Sequence, residues 1–187
     1  MRLFVAIDID DGTRAQLALA RAAIQDVLSN ARVSPRITWV KDECAHVTIR
    51  FIGETSAAVA TKIQDVFTTS WPMAAFDVRW EHIGAFPGVR RPRFVWIGPR
   101  AADDLVRLAA LVEARLAPLI GAGEARAFNP HITLGRVRDG GTGVDWPRAL
   151  AAHVWSPTTT RIDHLTLYLS ELSPKGPTYT ALCKAPL

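Results

Sequence analysis

Cysteine is nearly absent: Cys44 and Cys183 are the only two in 187 residues, and they stand alone. They form neither a CxxC pair nor a disulfide framework, which fits a reducing compartment. No apolar run approaches the roughly 20 residues of a membrane span. The opening MRLFVAI meets Asp8 too soon for a signal-peptide core. These absences predict a soluble, cytoplasmic protein. Lysine is scarce too, 4 against 18 arginines, within a net charge of +4. A planar guanidinium suits phosphate better than an ammonium does. An Ala- and Arg-rich composition also follows from a GC-rich genome, so charge alone only leaves an anionic partner open. No shift in composition divides the chain, and its 49% hydrophobic content suffices for one core, or two small lobes sharing one.

What is present is a repeated strand motif. Ala45 to Glu54 reads AHVTIRFIGE, and Pro130 to Val137 reads PHITLGRV. Side chains alternate faces along a strand. Each stretch therefore shows a histidine and a threonine on one face, His46 with Thr48 and His131 with Thr133, and sends Val47, Ile49, Ile132 and Leu134 to the other. Three of the five histidines have a threonine two places on (His46, His131, His164), whereas composition predicts about 0.4. A lone strand histidine is more often a satisfied structural residue, and strand threonine is ordinary by propensity. Duplication tells against both bland readings. Two imidazoles and two hydroxyls facing one cleft can move protons on either side of a phosphate.

Periodicity orders the rest. Leu3 to Ile9 reads as a strand, followed by an amphipathic helix over about Thr13 to Leu28, capped by Asp10 or Asp11. Asn30 to Pro35 is a loop and Ile37 to Val40 a short strand. A second helix opens at Glu54-Thr55-Ser56 and stops at Trp71-Pro72. Phe76 to Glu81 alternates as a strand, Gly84 to Pro92 is a loop or hairpin connection, and Arg93 to Ile97 is the next strand. The third helix runs from about Asp103 to Leu116, and Gly121 to Ala127 is a loop. Asp139 to Gly143 is a turn, Arg161 to Ser170 a strand, Ser173 to Pro177 a turn and Tyr179 to Lys184 the last strand. The motifs lie 85 residues apart (131 − 46), which suggests two similar lobes in one domain, with helices outside an antiparallel-rich sheet. By parity Phe51 belongs to the core. Cys44 shares parity with His46, so it is either a thiol nucleophile or a small core residue. Arg90, Arg91 and Arg93 form either a phosphate-facing patch beside the cleft or a solvated loop.

The two His-x-Thr-apolar motifs, the first running into Phe51-Ile52-Gly53-Glu54, the second preceded by Phe128 and Pro130 and followed by Arg136, resemble those of the 2H phosphoesterase superfamily. Within it the chain is most similar to the RNA 2′,3′-cyclic phosphodiesterases, also called 2′-5′ RNA ligases. The likeness extends through Arg2 to Asp8, Pro92 to Gly98, Leu165 to Tyr168 and Gly176 to Tyr179, nearly the whole chain. Val5 and Thr178 depart from the family pattern at positions tied to substrate contact. The resemblance implies an α+β, bilobal fold: two pseudo-symmetric antiparallel-rich sheets, helices outside and a central cleft. It implies opening of a ribose 2′,3′-cyclic phosphate to a 2′-phosphate without metal or cofactor, with ATP-independent 2′-5′ joining at the same site. It makes His46 and His131 the catalytic pair, His46 as acid and His131 as base, with Thr48, Thr133 and Arg136 on the phosphate. The expected partner is RNA with a 2′,3′-cyclic phosphate end, such as tRNA fragments or small cyclic nucleotides, bound by a monomer without a membrane.

Rival readings stay open on the residues alone. A non-catalytic RNA-end binder would keep the cleft and lose turnover. A metallohydrolase would need a third ligand, which neither motif supplies at ligand spacing. Another superfamily member would act on ADP-ribose cyclic phosphate or 2′-5′ oligoadenylate. His164-Leu165-Thr166 copies the motif without its flanks and reads as a surface or edge-strand decoy. His82 and His153 have no matching context.

Overall fold

Leu3, Phe4, Val5, Ala6 and Ile7 are all at most 3% exposed. A strand buried on both faces is an interior strand, and β1 (Arg2–Asp8) lies between β3 (His46–Glu54) and β8 (His164–Ser173). The computed structural model describes residues 1–30, 35–123, 127–139, 143–174 and 176–187. The middles of the expected loops and turns, at 31–34, 124–126, 140–142 and 175, lie outside the described residues. Beyond β8 runs β9 (Gly176–Pro186), completing one half as β3-β1-β8-β9. The second half is β6 (Ile132–Asp139), β5 (Phe94–Pro99), β4 (Phe76–Phe86) and β7 (Thr158–Ile162), with the short β2 (Arg36–Trp39) also paired to β6.

The halves meet where β3 and β6 pair antiparallel at Val47 and Ile132, so the nine strands form one continuous sheet. Asp163 alone separates β7 from β8, although they belong to opposite halves. One residue spans only about 3.5 Å, so the sheet must curl until its far strands approach. Arg161 to Ser170, expected as a single strand, is thus two strands broken at Asp163.

Among the described residues, four helices cover the outside. α1 (Asp11–Ser29) is capped by the Asp10 carboxylate, which accepts from the Thr13 amide at 2.9 Å. α2 (Ala57–Phe67) is capped by Ser56 and ends earlier than expected, because the Thr68 and Thr69 hydroxyls turn back onto the Asp65 and Val66 carbonyls. α3 (Asp103–Ile120) outlasts its expected end and carries Pro118 in its last turn. α4 (Trp146–Leu150) is too short to show a period, so the spacing of apolar residues gives no sign of it.

The halves exchange these helices. α1 follows β1 yet packs on β7 and α4 of the other half; α3 follows β5 yet packs on β3 and α2. One contiguous apolar cluster therefore includes Leu17, Ile24, Val47, Ile63, Leu105, Leu108 and Ile132. Each fully buried aliphatic side chain contributes roughly 2 kcal/mol. The concave face, left free of helices, carries the histidines.

Candidate active site

The pairing of Val47 with Ile132 sets the geometry of the motif residues. Both apolar side chains are fully buried on the helix side, so the flanking His46, Thr48, His131 and Thr133 share the concave face. Antiparallel register carried one step either way puts Thr133 across from His46 and Thr48 across from His131. The charge of His131 reaches His46 and opposes its protonation, as expected for close neighbours.

Each ring is held the same way. His46 Nδ1 donates to the Cys44 carbonyl at 2.7 Å, and His131 Nδ1 donates to the Asn129 carbonyl at 2.8 Å. A carbonyl only accepts, so the proton of each neutral ring sits on Nδ1 and the lone pair is left on Nε2. Thr48 Oγ1 donates to His46 Nε2 at 2.9 Å. Cys44 serves through its backbone. Its thiol points to the Pro177 carbonyl and burial pushes its pKa up, which leaves it a poor nucleophile.

Burial lowers the pKa of both histidines, and the Nδ1 hydrogen bonds oppose that. Among the described residues, only His46 has a carboxylate contributing against its loss of protonation, that of Asp8, its cross-strand partner. On the other half, the register of Ile97 with Ile132 puts Gly98 at the equivalent place. Asp8 accepts from Tyr168 at 2.5 Å, His164 at 3.0 Å, Thr166 at 3.1 Å and Lys184 at 3.2 Å. Burial pushes the Asp8 carboxyl up, but these donors outweigh it and bring its pKa down to about 2. Sequence reasoning missed Asp8. Its only signal was an acid ending a buried strand.

Two matching bulges shape the rest of the cleft. On β3, Val5 pairs with Arg50 and Ala6 with Thr48, leaving Ile49 unopposed. On β6, Val95 pairs with Gly135 and Trp96 with Thr133, leaving Leu134 unopposed. An extra residue reverses strand parity beyond it. Phe51, expected in the core, is instead 62% exposed, while Arg50 turns to the helix side and binds Glu113 at 2.7 Å. Arg136 is brought to the exposed side by the same device, its guanidinium 5.2 Å from the centre of the Phe94 ring. Phe51 and Arg136 are thus equivalent positions of the two halves, as are Phe4 and Phe94.

Aromatic rings line both histidines. Phe4 lies 4.9 Å and Tyr179 5.3 Å from the His46 ring, with Tyr168 stacked on Phe4 at 5.2 Å. Val5, where the family pattern has a ring, is fully buried. Phe86 meets His131 edge-on at 5.1 Å and stacks on Trp96 at 4.9 Å. Trp96 lies flat because Gly84 and Gly98 are bare: a Cβ on either would come within 2.6 Å of the indole.

His164 is not at an edge, since β8 lies inside the sheet; it bridges Asp163 and Asp8. His82 packs edge-on to Trp96 and pairs with Gly98, so it lies in the row of strands next to His131, while His153 packs edge-on to Trp155. Among the described residues, no three His, Cys, Asp or Glu side chains are grouped to hold a metal ion. No helix is long and apolar enough to cross a membrane among the described residues.

A family model for the 2′-5′ RNA ligase superfamily matches residues 12–173. An RNA 2′,3′-cyclic phosphodiesterase of Archaeoglobus fulgidus is 32% identical over 97% of this chain and 98% of its own length. Another, from Methanothermobacter thermautotrophicus, is 30% identical over 96% and 95%. Among solved structures, TT0787 of Thermus thermophilus superposes with a TM-score of 0.75 at 26% identity, covering 100% of this chain and 98% of that one. The complex of E. coli LigT with 3′-AMP gives 0.73 at 26%, covering 100% and 97%. With the duplicated histidine strands, the curled sheet and a family match over most of its length, the chain belongs to the 2′-5′ RNA ligase superfamily of 2H phosphoesterases.

Proposed function

We propose that this protein opens RNA 2′,3′-cyclic phosphate ends to 2′-phosphates, using His46 and His131 as an acid and base pair without a metal or other cofactor. The names of its relatives support the substrate class. The observation that carries the mechanism is the matched tethering of both rings through Nδ1, which leaves two Nε2 atoms for one phosphate.

Water attacks phosphorus opposite the ribose 3′-oxygen. A P–O bond to water forms as the bond from phosphorus to the 3′-oxygen breaks. His131 Nε2 takes the proton from water, and protonated His46 gives one to the departing 3′-oxygen. The asymmetry of the site favours this division of roles, because Asp8 stabilises a protonated His46 and nothing equivalent stands beside His131. Negative charge spreads over the non-bridging oxygens, where the Thr48 and Thr133 hydroxyls and the Arg136 guanidinium donate. Solvent exchange then resets the two rings. With a ribose 5′-hydroxyl in place of water, the same displacement makes a 2′-5′ phosphodiester.

The test is product analysis of a short RNA ending in 2′,3′-cyclic phosphate, incubated with millimolar chelator. A 2′-phosphate product, lost in His46→Ala and His131→Ala, is the expected result. A 3′-phosphate, dependence on added metal, or RNA bound and left uncut would overturn the proposal. Sedimentation of the protein alone checks the expectation of a monomer, and fractionation of its native cells checks the cytoplasmic one.

A further inference from the structure

The two halves of the cleft diverge at one equivalent position, Phe51 on β3 and Arg136 on β6. Around Phe51 the cleft is aromatic, with Phe4 6.3 Å away and Tyr179 beyond it. Around Arg136 it is basic. The β4–β5 hairpin loop leaves the sheet at Phe86, whose ring touches His131, and returns at Phe94, under the Arg136 guanidinium. That loop holds Arg90, Arg91 and Arg93, all exposed. The Arg93 carbonyl accepts from the Val137 amide at 3.0 Å, so Arg93 stands beside Arg136 and Arg138.

Many arginines elsewhere sit against acids. Arg21 binds Asp42 at 3.0 Å, Arg79 binds Glu81 at 2.7 Å, Arg107 binds Asp104 at 3.0 Å and Arg161 binds Asp77 at 3.3 Å. Among the described residues, none of Arg90, Arg91, Arg93, Arg136 and Arg138 has a carboxylate within ion-pair distance; Arg138 bonds the Thr38 hydroxyl at 3.2 Å. Five like charges on neighbouring strands and one short loop repel one another. A polyanion laid along them would remove that repulsion and release its own counterions.

We infer that this ridge is a track for the backbone phosphates of the RNA strand 5′ to the cyclic end, so that the chain grips an oligonucleotide and not only its terminal nucleotide. The inference rests on the proposed RNA-end activity and extends it. A strand whose 3′ end lies between His46 and His131 leaves along β6, past Thr133 and Arg136, onto Arg93, Arg91 and Arg90. The opposite exit, along β3, offers rings and no cation at the matching position, which suits a base and not a phosphate.

The experiment compares 2′,3′-cyclic CMP with cyclic-phosphate-ended RNAs of two, four and eight nucleotides. The ratio of kcat/KM for the octamer to that for the mononucleotide cancels any loss common to both. In the unsubstituted protein this ratio should exceed about tenfold at low salt. Contacts with three phosphates should make the octamer's KM rise with salt at a log–log slope of about 2, while the mononucleotide changes little. In the triple variant R90Q/R91Q/R93Q the ratio should fall at least severalfold and the slope flatten. A ratio near one in the unsubstituted protein, or a length gain that survives in the triple variant, overturns the track. If neither substrate is hydrolysed, the proposed activity itself fails; if both are hydrolysed equally well, only the track does.

Discussion

Asp8 and His46 are cross-strand partners on β1 and β3, and the Asp8 carboxylate works against the burial that strips His46 of its proton. Replacing Asp8 by Asn removes that charge, so the His46 pKa must fall further. An acid must be protonated to act, and a lower pKa means the proton is lost at a lower pH. The alkaline limb of kcat/KM in Asp8→Asn should therefore move to lower pH. An unmoved limb, or an upward shift, would show that Asp8 does not set the state of His46.

Asp8 also links stability to acid. Its folded pKa of about 2 lies below the ordinary 3.8, so the ionised form is favoured by folding. That contribution, about 2 kcal/mol, is present above pH 4 and vanishes as pH falls through 2. Urea unfolding should show Asp8→Asn weaker than the parent at pH 6, with the gap closing between pH 4 and 2. A constant gap would locate the loss in packing instead of charge.

Each of His46→Ala and His131→Ala should cost about 10²- to 10⁴-fold in kcat, and the double variant should lose much less than the product of the two. Burial holds both pKa values under the ordinary 6.5. One ring must be protonated and the other neutral, so kcat/KM should trace a bell whose maximum falls below pH 6.5. A maximum well above pH 7 would rule out this pair as the titrating groups.

Phe51→Ala separates stability from binding. The ring is 62% exposed, so unfolding free energy should change by no more than about 0.5 kcal/mol. A base stacked on it is worth roughly 1–3 kcal/mol, which predicts a KM increase of about 5- to 150-fold with kcat little changed. A marked loss of stability with unchanged KM would return Phe51 to a structural role.

The sequence by itself determined the motif strands and the three long helices. Alternation and 3.6-residue spacing are local properties, and in His46 to Ile49 and His131 to Leu134 no competing pattern obscures them. It also carried the family likeness, and with it the architecture that the curled sheet and its relatives bear out.

Tertiary structure decided what local periodicity cannot express. The bulges at Ile49 and Leu134 arise from pairing with β1 and β5, and they turn Phe51 and Arg136 outward against simple alternation. The split at Asp163 follows from β7 and β8 bonding to strands on opposite halves. Asp8 meets His164 and Lys184 across 156 and 176 residues, a separation over which a single sequence holds no record of contact. The Asp8 charge that favours protonation of His46 acts in the same way, because burial and charge work through space and not along the chain.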